Sequence, residues 1–209
     1  MKNLIVIEHP LVKRDLAILR DRTTPSHSFR AILRRTASLM AYEVTGDLKL
    51  RQVTIETPLE QTKGHVVIDS IILVPILRAG LGLVGGFVEV LPNARVGHIG
   101  LYRDEETLKP VDYYLKFPKK LKDALVIVLD PMLATGGSAT AAVTVLKNKG
   151  AKRIRFVSLV AAPEGVRFLT KTHPDVVVFT CSLDRELNSK GYILPGLGDA
   201  GDRIFGTAE

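Results

Sequence analysis

Five aliphatic residues, Leu125, Val126, Ile127, Val128 and Leu129, run without a polar break into Asp130. A segment apolar on both faces must be covered on both, which points to a strand inside a parallel sheet. The sequence then turns through Thr135-Gly136-Gly137-Ser138 and becomes helical in pattern, with Ala139, Ala142, Val143 and Leu146 on one face. Lysines crowd the last turn and Gly150 supplies the stop. Strand, glycine-containing loop and helix together aim free backbone N–H groups and a positive helix end at an anion. Gly136 and Gly137 let the backbone approach a phosphate with no Cβ in the way. Thr135 and Ser138 add hydroxyl donors, and Asp130 stands at the carboxyl end of the strand, where open α/β sheets bind ligands. Taken alone, TGGS reads better as a tight turn with Thr135 as an ordinary N-cap. Asp130, the loop length and the two hydroxyls together favour a phosphate cradle. No Gly-Lys-Ser/Thr follows the glycines and no GxGxxG is present, so P-loop and dinucleotide readings have little support.

The remainder of the chain extends this grammar. Five apolar runs suit a parallel sheet, at residues 70–74, 95–102, 125–129, 153–160 and 176–181, with helical patterns after the first, third and fourth. The connection after the second run, residues 104–118, carries Tyr113, Tyr114, Phe117 and two prolines with no helical period. A connection of that length without a helix is usually a functional arm or lid. Before the first run, residues 3–7 suit a short strand, Pro10 opens a helix to about Arg20, and helical spacing from Ser28 includes Phe29, Ile32, Leu33, Thr36, Leu39 and Met40. Arg30, Arg34 and Arg35 fall largely off that face, as a solvated or subunit-facing surface, with an effector or RNA site as the sharper alternative. Residues 51–56 and 65–68 alternate around Pro58 and Gly64 as a hairpin does. Two hundred and nine residues make one domain with a full core. A 46% apolar content without tryptophan suits an aliphatic α/β interior. The net charge of +7 favours phosphorylated partners only weakly, because scattered surface lysines give the same sum. Cys181 stands alone in an apolar run and reads as a buried, inert thiol. The apolar start is broken by Glu8, and the most apolar segment, residues 79–91, is too short to span a bilayer, so a cytoplasmic protein is expected.

DPMLATGGSAT resembles the phosphoribosyl-pyrophosphate loop of type I phosphoribosyltransferases, in the form found in the uracil phosphoribosyltransferase family. PILRAG around Arg78 and GYILPGLGDAGDR at residues 191–203 match the same family, so the likeness runs essentially from end to end. Where the wider family has two adjacent acids this chain has Asp130-Pro131, and the second carboxylate's role has no counterpart here. The resemblance implies a five-stranded parallel Rossmann-like sheet flanked by helices, with a β-hairpin arm and a hood from the terminal segments (residues 1–68 and 183–209). It implies a pentosyltransferase that joins uracil to phosphoribosyl pyrophosphate to give UMP and pyrophosphate. It also implies a homodimer or tetramer, with GTP as an activator. Two alternatives share the fold: an RNA-binding pyrimidine-operon regulator, and a purine phosphoribosyltransferase.

In that reaction positive charge develops on the ribose while negative charge grows on the leaving group, so anchored phosphates and oriented reactants are needed rather than a protein nucleophile. The resemblance assigns phosphoribosyl-pyrophosphate binding to Asp130, Pro131, Met132, Leu133, Ala134, Thr135, Gly136, Gly137 and Ser138, with Arg78, Arg103 and Asp199. Asp130, an acceptor when ionised, suits the ribose hydroxyls. Arg78 can fork onto pyrophosphate oxygens, beside the small residues Ala79 and Gly80. Arg103 is a second pyrophosphate candidate, with an ion pair to Asp104 or Glu105 as its rival. Ile193, Gly198, Asp199 and Ala200 are the expected uracil pocket, joined more loosely by Tyr192, and Asp199 should lie near the reacting atoms with Arg78 and Arg103. Asp202 and Arg203 either pair and brace the loop or touch ligand. Mg²⁺ is expected to arrive with the substrate rather than in a protein cage. No HExxH or CxxC pattern exists, so zinc is unsupported.

Overall fold

The computed structural model describes residues 3–103 and 110–207, with residues 101–103 and 110–113 as backbone only. The chain starts with β1 (Leu4–Val6), α1 (Pro10–Arg20) and α2 (Ser26–Val44), then the hairpin β2 (Leu50–Glu56) and β3 (Gln61–Val67). Next come β4 (Ser70–Leu77), α3 (Leu81–Val90), β5 (Arg95–Val96), β6 (His98–Arg103), β7 (Pro110–Lys116) and a 3-10 turn (Leu121–Asp123). They are followed by β8 (Ala124–Leu129), β9 (Met132–Leu133), α4 (Gly137–Asn148), β10 (Arg153–Ala161), α5 (Pro163–Thr172) and β11 (Val177–Leu183). The short pair β12 (Glu186–Leu187) and β13 (Ile193–Leu194) leads to α6 (Ala200–Phe205).

The main sheet has the order β1-β11-β10-β8-β4-β6-β7, with β5 paired to β4 and β9 to β10. Every pairing in it is parallel except β6 with β7. All six residues of β8 are buried, as a central strand covered on both faces requires. One core packs Val12, Leu19, Phe29, Leu33, Met40, Leu83 and Phe87, from α1, α2 and α3, against the sheet. The other packs Ala142, Val143 and Leu146 of α4 and Val166 and Leu169 of α5 against the opposite face.

The five apolar runs become the middle of this sheet, which is wider than five strands. At one edge β1 pairs with β11, Leu4 opposite Val178, so the first strand belongs to the sheet. At the other edge β7, residues 110–116 of the expected arm, folds back on β6 as an antiparallel pair. Residues 104–109 of the expected lid lie outside the described residues. The β2–β3 hairpin is tighter than its alternation suggested, because the second strand starts at Gln61. The arginines of α2 are internal ties as much as surface. Arg35 grips the buried carboxylate of Asp15 at 2.6 and 2.7 Å, and Arg30 donates to Ile204 O at 2.8 Å. The Arg35 guanidinium beside Asp15 offsets the burial that opposes its charge and holds the carboxyl below the usual range.

Helices α2 and α3 touch backbone to backbone at Gly86, where an added Cβ would lie 2.2 Å from Arg34 O and 2.7 Å from Ser38 N. Gly86→Ala is expected to cost about 1–3 kcal/mol in urea unfolding, because two packed helices must separate. Gly46→Ala, whose added Cβ meets only Glu43 O at 3.7 Å, should change stability by less than about 0.5 kcal/mol.

Candidate active site

The loop after β8 is stitched to its neighbour by its carbonyls. Pro131 O accepts the N–H groups of Leu159 and Val160 at 2.9 and 3.2 Å, and Leu133 O accepts that of Ala162 at 2.9 Å. The loop's N–H groups behave differently. From Thr135 to Ala139 none donates to a backbone acceptor among the described residues, and the Gly137 N–H only approaches Thr135 Oγ1, at 3.5 Å. Intrahelical bonding starts at Thr140, which donates to Gly136 O at 2.9 Å. These free donors line a small cavity of about 80 Å³ with Asp130 and Met132. Orphan amides at the start of a helix are a ready anion site.

Gly136 caps α4 in the left-handed region at φ 83°, and an added Cβ would come within 2.8 Å of Gly165 O. Gly165 is itself required: its added Cβ would lie 2.3 Å from Ala134 O. The first turn of α5 is therefore the seat of the loop, which sequence reading missed. The signal was there as a second glycine in a helical pattern, but its partner lies thirty residues upstream.

Asp130 is half-buried at the head of the cavity, and its Oδ1 accepts the Met132 N–H at 3.3 Å. Burial, with the nearby Asp199 carboxylate, pushes its pKa up to about 7 against that hydrogen bond. Asp199 caps α6, accepting the Asp202 N–H on Oδ1 at 3.0 Å. Arg78 follows β4 through a cis peptide from Leu77. Its guanidinium is largely exposed, 3.7 Å from Asp202 and 5.8 Å from the Phe205 ring centroid. Next to it, the smallness of Gly80 serves packing: an added Cβ would meet Leu129 O at 2.3 Å. Arg103 closes β6, and its side chain lies outside the described residues.

The segment expected to hold the nucleobase stands beside the loop, with Gly191 facing the Thr135 methyl at 3.7 Å from an added Cβ. Ala79 and Gly201 approach one another by the same measure, at 4.0 Å, which joins the Arg78 turn to α6. Ile193 and Ala200 bury their side chains in the core, so they can offer a ligand only main chain. Gly198 is left-handed at φ 78°, and Tyr192 is half exposed. Arg203 braces the segment: it donates to Leu19 O, to Leu197 O at 2.9 Å and to Asp21 O at 2.6 Å, and stacks 4.5 Å over Phe29. A second brace was invisible in the sequence. Arg20 donates to both carboxylate oxygens of Asp184 and to Gly196 O, while Asp184 accepts the Gly196 N–H at 2.9 Å. Burial opposes charge on Asp184, yet Arg20 and the Ser182 hydroxyl hold its pKa below the usual carboxylate range. Cys181 is buried, which pushes its thiol up to about 12, in keeping with an inert residue.

The raised Asp130 value has a consequence for stability. A folded state that binds a proton more tightly than the unfolded chain loses stability as pH climbs from the unfolded value towards the folded one, here from 3.8 to about 7. Asp130→Asn removes that loss. Its unfolding free energy relative to wild type should rise by about 1–3 kcal/mol between pH 4 and pH 7.5, in urea titrations without ligand.

Comparison with known proteins agrees with this geometry. A family model described as "Uracil phosphoribosyltransferase" matches residues 6–207. A protein of that name from Clostridium botulinum is 56% identical over 208 residues, covering 99% of this chain and all of the relative. Relatives of the same name from Finegoldia magna and Acholeplasma laidlawii are 55% and 52% identical, each with 99% of this chain and the whole relative covered. A solved structure from Aquifex aeolicus superposes with a TM-score of 0.92 at 36% identity, covering 98% of this chain and 99% of that one. A hypoxanthine-guanine phosphoribosyltransferase from Bacillus anthracis shares the fold alone, with a TM-score of 0.51 at 13% identity over 76% of this chain and 80% of its own. With loop, pocket segment and whole-length likeness in agreement, the chain belongs to the uracil phosphoribosyltransferase family.

Proposed function

We propose that the chain transfers the 5-phosphoribosyl group of phosphoribosyl pyrophosphate to N1 of uracil, forming UMP and releasing pyrophosphate. The observation that carries the reading is the run of N–H groups at residues 135–139 that meet no backbone acceptor among the described residues, around a cavity headed by Asp130, with Gly191 beside Thr135. The bond from the anomeric carbon to pyrophosphate breaks, the bond from that carbon to N1 forms, and the N1 proton leaves. The loop amides and the Thr135 and Ser138 hydroxyls hold the 5′-phosphate. Asp130, ionised, accepts from the ribose 2′ and 3′ hydroxyls. Asp199, placed by its own capping bond, faces the developing positive charge of the ribose. Arg78, and by family likeness Arg103, take the pyrophosphate oxygens. Main-chain groups of 193–200 complement the O4 and N3–H edge of uracil, and cytosine would leave one of those groups unpaired.

Among the described residues no three His, Cys, Asp or Glu side chains converge into a metal cage. Two carboxylates that repel across the cleft, Asp130 and Asp199, fit a cation held chiefly through substrate oxygens. When Mg²⁺ is bound there, the chemistry it supplies is neutralisation of the pyrophosphate charge. The regulator reading has no comparable support, since the arginines that suggested an RNA surface are engaged within the chain, with Asp15, Glu89 and Ile204 O. No helix among the described residues is long and apolar enough to cross a membrane. A homo-oligomer is supported by the β2–β3 hairpin, which pairs with no other strand among the described residues and exposes Leu50, Leu59, Val67 and Ile68. Two strands alone are marginal in water. Sedimentation with and without GTP tests the assembly and the effector that family likeness suggests.

Purified protein with phosphoribosyl pyrophosphate and Mg²⁺ should convert uracil to UMP and leave adenine and hypoxanthine unchanged. Turnover of a purine, or no UMP from folded protein, would overturn the reading. In the free protein kcat/KM for phosphoribosyl pyrophosphate should fall as pH drops through about 7, when the Asp130 carboxylate takes up its proton, and Asp130→Asn should lose that limb. Gly136→Ala, strained at φ 83° and pressed on Gly165 O, should raise the KM for phosphoribosyl pyrophosphate about tenfold or more, equivalent to roughly 1.4 kcal/mol.

A further inference from the structure

The supports of the two substrate loops meet at one residue, Glu164, in the first turn of α5. Its neighbour Gly165 forms the seat of the phosphate loop, with Ala134 O and Leu133 O 2.3 and 2.9 Å from an added Cβ. Its own side chain points the other way in function, toward the segment that leads to the nucleobase pocket. Glu164 Oε1 accepts the Leu187 N–H at 3.4 Å, and Leu187 is the residue of β12 paired with Ile193 in β13. The second oxygen, Oε2, is buried and has no partner among the described residues. A carboxylate with one long hydrogen bond and one unsatisfied oxygen is an expensive arrangement, and such groups are retained for a reason. Its acceptor capacity is not used up among the described residues, so a shift of β12 toward α5 would shorten the Leu187 bond and strengthen it.

We propose that Glu164 is a positioning residue that couples the two halves of the site: occupancy of the phosphate loop is transmitted through the α5 first turn and its carboxylate to the β12–β13 segment, tightening the uracil pocket. The coupling has a two-way physical path. Leu133, Ala134 and Gly136 lie against Gly165, β12 is held by Glu164 one residue earlier, and Gly191 stands beside Thr135, whose methyl would be 3.7 Å from an added Cβ. Whatever settles the phosphate loop on α5 therefore fixes the acceptor that β12 must find. This rests on the activity proposed above and adds a residue that touches neither substrate.

The test is calorimetric binding of uracil to the full-length chain, alone and with saturating ribose 5-phosphate. Wild type is expected to bind uracil about tenfold more tightly with ribose 5-phosphate present. Glu164→Ala should reduce that gain to less than about twofold, with uracil binding to the ligand-free chain nearly unchanged. Glu164→Gln, which keeps the shape and guards against a variant that does not fold, should lower the gain about threefold because a neutral amide is the weaker acceptor. A purely structural role would weaken both measurements by one factor and leave their ratio at the wild-type value, and that result would overturn the proposal. So would a wild-type chain whose uracil affinity ignores ribose 5-phosphate. UMP formation by wild type, measured alongside, separates the two readings: no UMP sinks the activity, whereas UMP with an unaltered ratio in both variants sinks only the coupling.

Discussion

The carbonyl oxygens of Pro131 and Leu133 hold the loop to β10 and to the start of α5, and this decides what the rest of the site can be. Pro131 O takes two N–H groups from β10 and Leu133 O takes one from the residue that opens α5. With those two oxygens turned to the sheet, the N–H groups of residues 135–139, which meet no backbone acceptor among the described residues, are left to the cleft. Backbone donors anchored through a parallel sheet take their position from strands buried on both faces. Gly136 and Gly165 make the arrangement possible by removing the two Cβ atoms that would hold loop and helix apart.

The other half of the site lies outside the main sheet, and charged side chains do the corresponding work. Residues 184–203 are tied to α1, and to the turn that follows it, by Arg20 with Asp184 and by Arg203 with the carbonyl oxygens of Leu19 and Asp21. Truncating one member of a buried pair is costly because the partner's charge is stranded. These ties therefore concern the shape of the pocket as much as stability. They also explain how short elements, two-residue strands and a six-residue helix, can present main-chain groups in a defined place.

What could be read from the sequence follows from the range over which each signal acts. The buried strand 125–129, the turn and the helical face after it are local patterns, and β8, the loop and α4 lie where those patterns put them. The first helix was bounded at Pro10 and Arg20 because proline marks a start by its own geometry. Long-range pairings left no such trace. Nothing near Arg20 announces Asp184, 164 positions away, and nothing near Ala134 announces Gly165. Gly80 shows the reverse difficulty: a small residue beside Arg78 suggests room for a ligand, but the space is already filled by Leu129 O and Ile76. The main-chain character of Ile193 and Ala200 was equally hidden, since identity alone cannot say which way a side chain turns.

The parallel register of Leu4 with Val178 has a consequence for how the chain reaches its native state. The edge strand at residues 4–6 has its partner more than 170 residues further along the chain, so it cannot pair until that stretch has been made. Contacts this distant along the chain are slow to close, and an unpaired edge left waiting is prone to intermolecular pairing. The inner strands β4, β8 and β10, which are nearer to one another in sequence, can assemble first, leaving β11 and then β1 as the late additions.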